Sequence, residues 1–589
     1  MIEKRLSCLR KEMEREGVDA YLITGFDPHQ SEYVASRWRD REFISGFTGS
    51  AGTVIVTRDK ALLWVDSRYF IQGAAQIEGT EFILMKLDTE NTPNPEAYME
   101  AMDKGTRIGV SSSSVSISSF LDLSRKLGKK GIELAALPDL VDRIWEGRPA
   151  VPSSSLEAMP VEYAGLTASE KLAKIRKKLA DNGLKWTFIA SIDDIAWTTN
   201  LRGDDILYNP VFMSYLFVSL DKAVLFTSLS RFSDGLLDEV RKDFEVLAYE
   251  DAGKILPELI DGPGYYCPEK VNYSFYPSLS GEENEKGRDI TTDLKAEKNI
   301  VEMAGMRKAH LYDGIAFARF MASLDPDGEY TEIEISDRFE AERSRMPGYR
   351  GPSFAPISGF REHGAMCHYS ATPESNMKID GHGLLVLDTG SQFEFGMTDL
   401  TRTLLFGSED PTDEEKRDYT LVLKGHLAIA HQRFLAGTRG VQLDVLAKQY
   451  LWQSGMSFFH GTGHGVGCRL NVHEGPMNIS SRMIDVALRP GMVVSDEPGL
   501  YKEGRHGIRI ENLIAVQEDA RTEFGQFYSF EVLSLVPYEK RLIDARYLSD
   551  EEIAMIDSYH EWIYKELEGY LDEKDRKWLR GATSPLGNK

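Results

Sequence analysis

Two stretches of the first half of the chain repeat one order of apolar and polar positions. In the first, a charged amphipathic helix runs to Gly17 and the apolar run AYLIT follows as a strand. An Asp-bearing turn (Asp27) and the loop ISGFTGSAG come next, then the strand pair TVIVT and ALLWVDSRYF. In the second, a helix opens at Thr167, with Glu170 three residues on as a capping box, and ends at Gly183. The strand WTFIA, the acidic turn IDDIAWTTNLRGDD and the strands MSYLFVSL and KAVLFT complete it. Strands alternating with helices predict an α/β domain for each copy. Pro138, Pro149, Pro152 and the serines at 153–155 give the connection between them the composition of a boundary.

A polar, turn-rich stretch at 281–293 marks a second boundary, and Leu294, Ile300, Met303, Ile315 and Ala318 then space out one or two amphipathic helices. Short strands with Gly-rich turns continue to about Val516. From about 528 a strand-like FEVLSLVPY leads to a charged helix near Glu551–Glu568, and the tail GATSPLGNK reads as disordered. The expected domains are 1–150, 160–290, 294–525 and a C-terminal extension 526–589. A chain of 589 residues exceeds one ordinary core, in keeping with several domains.

Charge narrows the function classes. With 93 acidic and 69 basic residues the formal charge is −24, which repels phosphate backbones and anionic membranes. No nucleic-acid or membrane partner is expected. The longest apolar run, Val211–Leu220, is broken by Ser214 and Ser219 and falls far short of the roughly 20 residues a bilayer requires. Cys8, Cys267, Cys367 and Cys468 are widely spaced without a CxxC, and no apolar leader follows Met1, so the chain reads as cytoplasmic.

Five metal-ligand types stand out in the third segment: Asp388 ending LLVLD, Asp399 eleven residues later, His464 in HGTGHGVG, Glu497 after MVVSD, and Glu511 in GIRIEN. The two aspartates suit adjacent strands of a hairpin. Each residue alone is an ordinary turn or strand residue; the set of four carboxylates and an imidazole is what carries chemistry. Converging without cations, the carboxylates would repel one another and raise their pKa values, whereas two divalent ions would cancel their charge. An oxygen-rich set favours manganese, magnesium or cobalt over structural zinc. Cys367 next to His368 does not make a nucleophile–base pair, since neighbours on a strand face opposite ways.

The segments LDTGSQFEFGMTDLTRT, HGTGHGVGCRLNVHEGP, SDEPGLY and GIRIEN resemble the pita-bread metallopeptidases, and specifically the aminopeptidase P family. FISGFTGSAG, LWVDSRYF, LVDRIWEGRP and IAWTTNLRGDD resemble the two creatinase-like domains of that family's long, three-domain form. The implied fold is two creatinase-like N-terminal α/β domains, then a pita-bread catalytic domain of α+β class with a short C-terminal extension.

The resemblance implies that Asp388 chelates one metal, that His464 and Glu497 hold the other, and that Asp399 and Glu511 bridge both. It implies two divalent ions, manganese first, with zinc or cobalt as alternatives. His368, His460 and His473 match the family's catalytic histidines, and Glu497 is the candidate proton shuttle. Arg509, Arg402 and Tyr501 are expected to support the ligands through hydrogen bonds; an exposed ion pair is the plainer reading of either arginine. His506 reads as a turn residue, and Asp66 and Arg68 as a local pair. The expected activity is release of an N-terminal residue that precedes proline, by a hydroxide held between the metals, in a homodimer. The alternatives are a prolidase restricted to X-Pro dipeptides and a noncatalytic peptide-binding module. A creatine-type amidinohydrolase shares the fold without the ligands, which argues against it here.

Overall fold

A computed structural model describes residues 1–325 and 328–587. The chain divides into two compact units, one of residues 1–159 and 166–293, the other of residues 160–165 and 294–589.

The first unit holds two six-stranded sheets with one topology. In space the first runs Phe82–Lys86, Ala61–Val65, Thr53–Thr57, Ala20–Ile23, Arg107–Ser111, Glu133–Leu137. Thr53–Thr57 is antiparallel to both neighbours and the other pairs are parallel. The second runs Glu245–Leu247, Ala223–Phe226, Tyr215–Ser219, Trp186–Ile189, Gly264–Tyr266, Glu285–Lys286, with Tyr215–Ser219 in the antiparallel position. The duplication legible in the sequence is therefore a duplication of sheet order. The central strands AYLI and WTFI are buried throughout, which is why they read as continuous apolar runs rather than alternating ones.

Local signals were read with mixed success. Thr167 and Glu170 form the capping box of helix Ala168–Asp181, and Arg68 Nε donates to Asp66 Oδ1 at 2.9 Å. The stretch expected as the turn IDDIAW is instead helix Ile192–Thr199. Asp193 and Asp194 lie in its first turn, where negative charge favours the helix, and Asn200 closes it at φ 55. No helix among the described residues is long and apolar enough to cross a membrane.

In the second unit, helix Ile300–Ser323 opens on an Asn299–Glu302 capping box. Strands Ile357–Phe360, Gly383–Thr389 and Leu400–Phe406 form an antiparallel sheet. A second antiparallel sheet is ordered Phe434–Leu435, Gly525–Val532, Asn512–Thr522, Val493–Asp496. Helices Asp413–Ala430 and Gly440–Gln453 pack so closely that a Cβ at Gly425 would lie 2.2 Å from the Ala447 carbonyl oxygen. Strand Gly525–Val532 pairs with Asn512–Thr522, so the C-terminal extension starts inside the catalytic sheet. The tail is more ordered than its composition suggests. Helix Glu573–Ala582 runs into it, Leu579 is buried, and Leu586 N donates to Asp557 at 2.9 Å; residues 588–589 lie outside the described residues.

Candidate metal centre

Two antiparallel strand pairs supply the acidic residues and one glycine loop the imidazole. Gly383–Thr389 and Leu400–Phe406 pair with Asp388 opposite Thr401, and Asp399 stands one residue before the second strand. Val493–Asp496 and Asn512–Thr522 pair with Asp496 opposite Asn512, so Glu497 and Glu511 leave that ladder at the same end. Glu511 N donates to Thr401 O at 3.1 Å and Thr401 Oγ1 donates to Glu511 Oε2 at 2.6 Å, which ties the two pairs together. His464 arrives on the loop between them. Its N–H donates to Ser495 Oγ at 3.0 Å, and Ser495 Oγ donates to Glu497 Oε1 at 3.0 Å. A Cβ at Gly463 would lie 1.9 Å from the Ser495 carbonyl oxygen, so only glycine lets this loop approach the strand.

The result is a buried acidic cluster around one imidazole. His464 Nε2 lies 3.4 Å from Asp399 Oδ2 and 3.3 Å from Glu497 Oε1. Ligand atoms of Asp399, His464 and Glu511 all fall within 4.8 Å of one another. Burial pushes Glu511 well above the ordinary carboxyl range, and Asp399, Glu497 and Asp388 push it further against a hydrogen bond from Thr401. Burial likewise raises Asp388, with Arg509 pulling it down and Asp399 pushing it up. Glu497 is raised by burial, with His464 and Arg509 opposing. His464 itself, which burial alone would lower, is lifted to about 9 by its hydrogen bond to Asp399 and the charge of Glu497.

Asp388 Oδ1 is buried and has no hydrogen-bond partner among the described residues. An acceptor left without a donor, inside a cluster of mutually repelling carboxylates, is what a cation would satisfy. The donors present fit a pair of hard divalent ions.

Around the cluster, Arg509 donates to Asp388 Oδ2 and, at 2.7 Å, to the Tyr501 hydroxyl. The Tyr501 hydroxyl lies 2.9 Å from His460 Nε2, and His460 Nδ1 lies 2.8 Å from Gly461 O. A proton on Nδ1 completes that chain: Arg509 to Tyr501, Tyr501 to His460, His460 to the Gly461 carbonyl. His473 sets its ring edge-on to His464, centroids 4.2 Å apart. Its neighbour Glu474 is buried against Lys298, with Lys295 Nζ at 3.2 Å. His368 is half-buried on the segment that follows turn Arg361–Ala365. That turn lies against strand His506–Arg509, and a Cβ at Gly507 would sit 1.7 Å from the Gly364 carbonyl oxygen.

Two expectations fail. Arg402 does not support a carboxylate and is not on the surface. It is fully buried and donates to the backbone carbonyls of Glu511, Val536 and Pro537 and to Asn512 Oδ1. It alternates with Thr401 along the strand, so Thr401 faces the cluster and Arg402 the C-terminal extension. His506 is no turn residue; it begins strand His506–Arg509, is buried, and pairs with Asp418 at 3.1 Å. Burial alone would raise Asp418, but hydrogen bonds from His506, Lys502 and Arg417 hold it down at about 2. A lowered carboxyl contributes stability that is complete above its unfolded value and is lost as pH falls toward 2. Asp418→Asn is therefore expected to cost ~2 kcal/mol at pH 7 and about half that at pH 3, read from urea midpoints at each pH.

A family model described as Metallopeptidase family M24 matches residues 304–518. Two models of the Creatinase/Prolidase N-terminal domain match residues 5–144 and 147–302, and the C-terminal region of peptidase M24 matches 526–586. Fungal proteins named Probable Xaa-Pro aminopeptidase P, from Paracoccidioides lutzii and Sordaria macrospora, are 38% and 39% identical to this chain. Each alignment covers 99% of this chain and 99% of the relative. The chain belongs to the Xaa-Pro aminopeptidase P family.

An X-prolyl aminopeptidase from Caenorhabditis elegans, described as a cytosolic enzyme with a di-nuclear active site, overlays 99% of this chain and all of its own. The TM-score is 0.96 and the sequence identity 32%. An Xaa-Pro dipeptidase from Bacillus anthracis overlays only 63% of this chain, at a TM-score of 0.51 and 25% identity. The full-length matches are thus to the long form of the Xaa-Pro aminopeptidase P family, with two creatinase-like domains ahead of the pita-bread domain.

Proposed function

We propose that this chain is a metal-dependent aminopeptidase that hydrolyses the bond between an N-terminal residue and a penultimate proline. The observation that carries the reading is the cluster of buried Asp388, Asp399 and Glu511 with half-buried His464 and Glu497, in a chain whose full-length relatives bear that name. Asp388 would hold one divalent ion, His464 and Glu497 the other, and Asp399 and Glu511 both. Lewis acidity toward the scissile carbonyl, and acidification of a water, are what such a pair of ions supplies. The oxygen-rich donor set supports manganese over zinc.

The protein's own groups do the rest. Glu497 accepts the proton of the attacking water and returns it to the leaving nitrogen. That nitrogen belongs to proline, so the scissile bond is a tertiary amide without an N–H, and the site needs no acceptor for one. His473 and His368 are the donors for the oxygen that gains charge at the scissile carbon. His460, whose ring is fixed by Tyr501, orients the residue that follows. A homodimer rests on the family resemblance. A cytoplasmic location is supported by the cytosolic description of the Caenorhabditis elegans relative.

The substrate length is the sharpest test. Manganese-loaded protein is expected to release arginine from Arg-Pro-Pro and little from Arg-Pro, and a chelator is expected to stop it. Cleavage confined to Arg-Pro would make the protein a prolidase, and inactivity on both with metal bound would refute the substrate assignment.

A further inference from the structure

The loop that bears His368 is anchored from outside the site. Segment 361–377 connects strand Ile357–Phe360 to strand Lys378–Ile379, and the turn Arg361–Ala365 is its only regular element. Glu332, the first residue of helix Glu332–Arg343, is fully buried beneath it. Its carboxylate accepts from Phe360 N at 2.8 Å and from Met377 N at 2.8 Å, the two ends of the segment. Between those ends it accepts from the Tyr369 hydroxyl at 2.9 Å, and His363 Nδ1 lies 2.9 Å from Oε1 and 3.2 Å from Oε2. The His363 and Tyr369 rings meet with centroids 4.4 Å apart, closing the loop over the carboxylate. Glu332 N also donates to Met377 O at 3.1 Å.

Four donors, three from one irregular loop and one from the strand end that leads into it, converge on one side chain. A carboxylate is the group that offers four acceptor positions and no donor. Burying it is costly unless those positions are filled, and here the loop backbone and two of its side chains fill them. The same loop is held on its other side by the close approach of Gly364 to Gly507. Tyr369, which Glu332 holds directly, is the residue after His368. Cys367, the residue before it, lies near Tyr501 and Arg509.

We infer that Glu332 is a positioning residue for His368: it acts through the loop, sets where that imidazole stands, and touches neither substrate nor metal. This rests on the reading that His368 serves the reaction. A carboxamide at 332 keeps the size but replaces two acceptor positions with donors, so the loop loses part of its anchor while the helix stays.

The test is a double-mutant cycle on manganese-loaded protein with Arg-Pro-Pro as substrate. Glu332→Gln is expected to lower kcat on the order of 10-fold to 100-fold, with KM and the number of bound manganese ions unchanged. In a His368→Ala background the same substitution is expected to change kcat less than about 2-fold, because the group it positions is gone. Tyr369→Phe removes one of the four donors and keeps the carboxylate, so it is expected to show the same pattern at smaller size. It also serves if Glu332→Gln does not fold.

Equal kcat losses in the two backgrounds would assign Glu332 to general stability and overturn the inference, as would full activity of both variants. A fully active His368→Ala would instead remove the role of His368 itself, and the inference with it.

Discussion

Replacing Glu511 with alanine is expected to remove at least one of two bound metal ions per chain and to lower kcat/KM on the order of 10³-fold. Burial raises Glu511, and Asp399, Glu497 and Asp388 each push it further, a repulsion that cations would relieve. Asp399→Ala is expected to behave alike, since Asp399 shares the ligand cluster with His464 and Glu511. Thr401→Ala keeps every candidate ligand and loses the 2.6 Å hydrogen bond to Glu511 and the 3.3 Å one accepted from Arg509 Nε, so a loss of about 10-fold is expected.

The metal-free forms should rank the other way. A carboxyl raised in the folded state costs stability above its unfolded value, and that cost grows until pH reaches the folded value. Metal-free Glu511→Ala should therefore melt above metal-free wild type at pH 7, with the gap closing toward about pH 4 as the carboxyl protonates in both states. Metal-loaded wild type should melt above either. Metal content by atomic emission, with melting curves with and without chelator, reads all three. Two ions and full activity in Glu511→Ala would remove Glu511 from the site.

Glu474→Ala is expected to cost about 3–5 kcal/mol of folding stability, the largest such loss anticipated outside the cluster, because it strands the buried Lys298 without its counter-charge. Lys298 and Lys295 are both buried and both meet this one carboxylate. Adding Lys298→Met removes one of those charges and is expected to recover more than about 1 kcal/mol. Activity should fall as well. Glu474 N donates to Gly465 O at 2.7 Å, which links the strap carrying His473 to the loop carrying His464. Urea midpoints for the single and double variants read the recovery, and a Glu474→Ala protein as stable as wild type would contradict this account of the contact.

The candidate ligands were legible as a set, four carboxylates and an imidazole in motifs at strand ends, and not as single residues. Asp388 and Asp399 could be paired from an eleven-residue spacing that fits a hairpin, and the strands bear that pairing out. Supporting residues are a different matter. Thr401 and Ser495 are common hydroxyls whose roles depend on which face of a strand they occupy, and nothing local marks that face. Arg402 drew attention for its charge, yet it is the adjacent Thr401 that reaches the carboxylate. A strand's period of two exchanges such roles with every residue.

Glu474 and Lys298 are separated by 176 residues, and Glu332 and His363 by 31, so their pairings exist only once the fold is known. The reading of IDDIAW as a turn failed because acidic residues suit a turn and a helix N-terminus equally well. In the tail, polar composition hid Leu586, which is held against the rest of the second unit.

The most direct test of the whole account is a manganese titration of metal-free protein, following release of arginine from Arg-Pro-Pro against ions bound per chain. Activity that is absent without metal and reaches its plateau at two ions per chain is the predicted result. Hydrolysis that proceeds without metal, or none at all once two ions are bound, would contradict it.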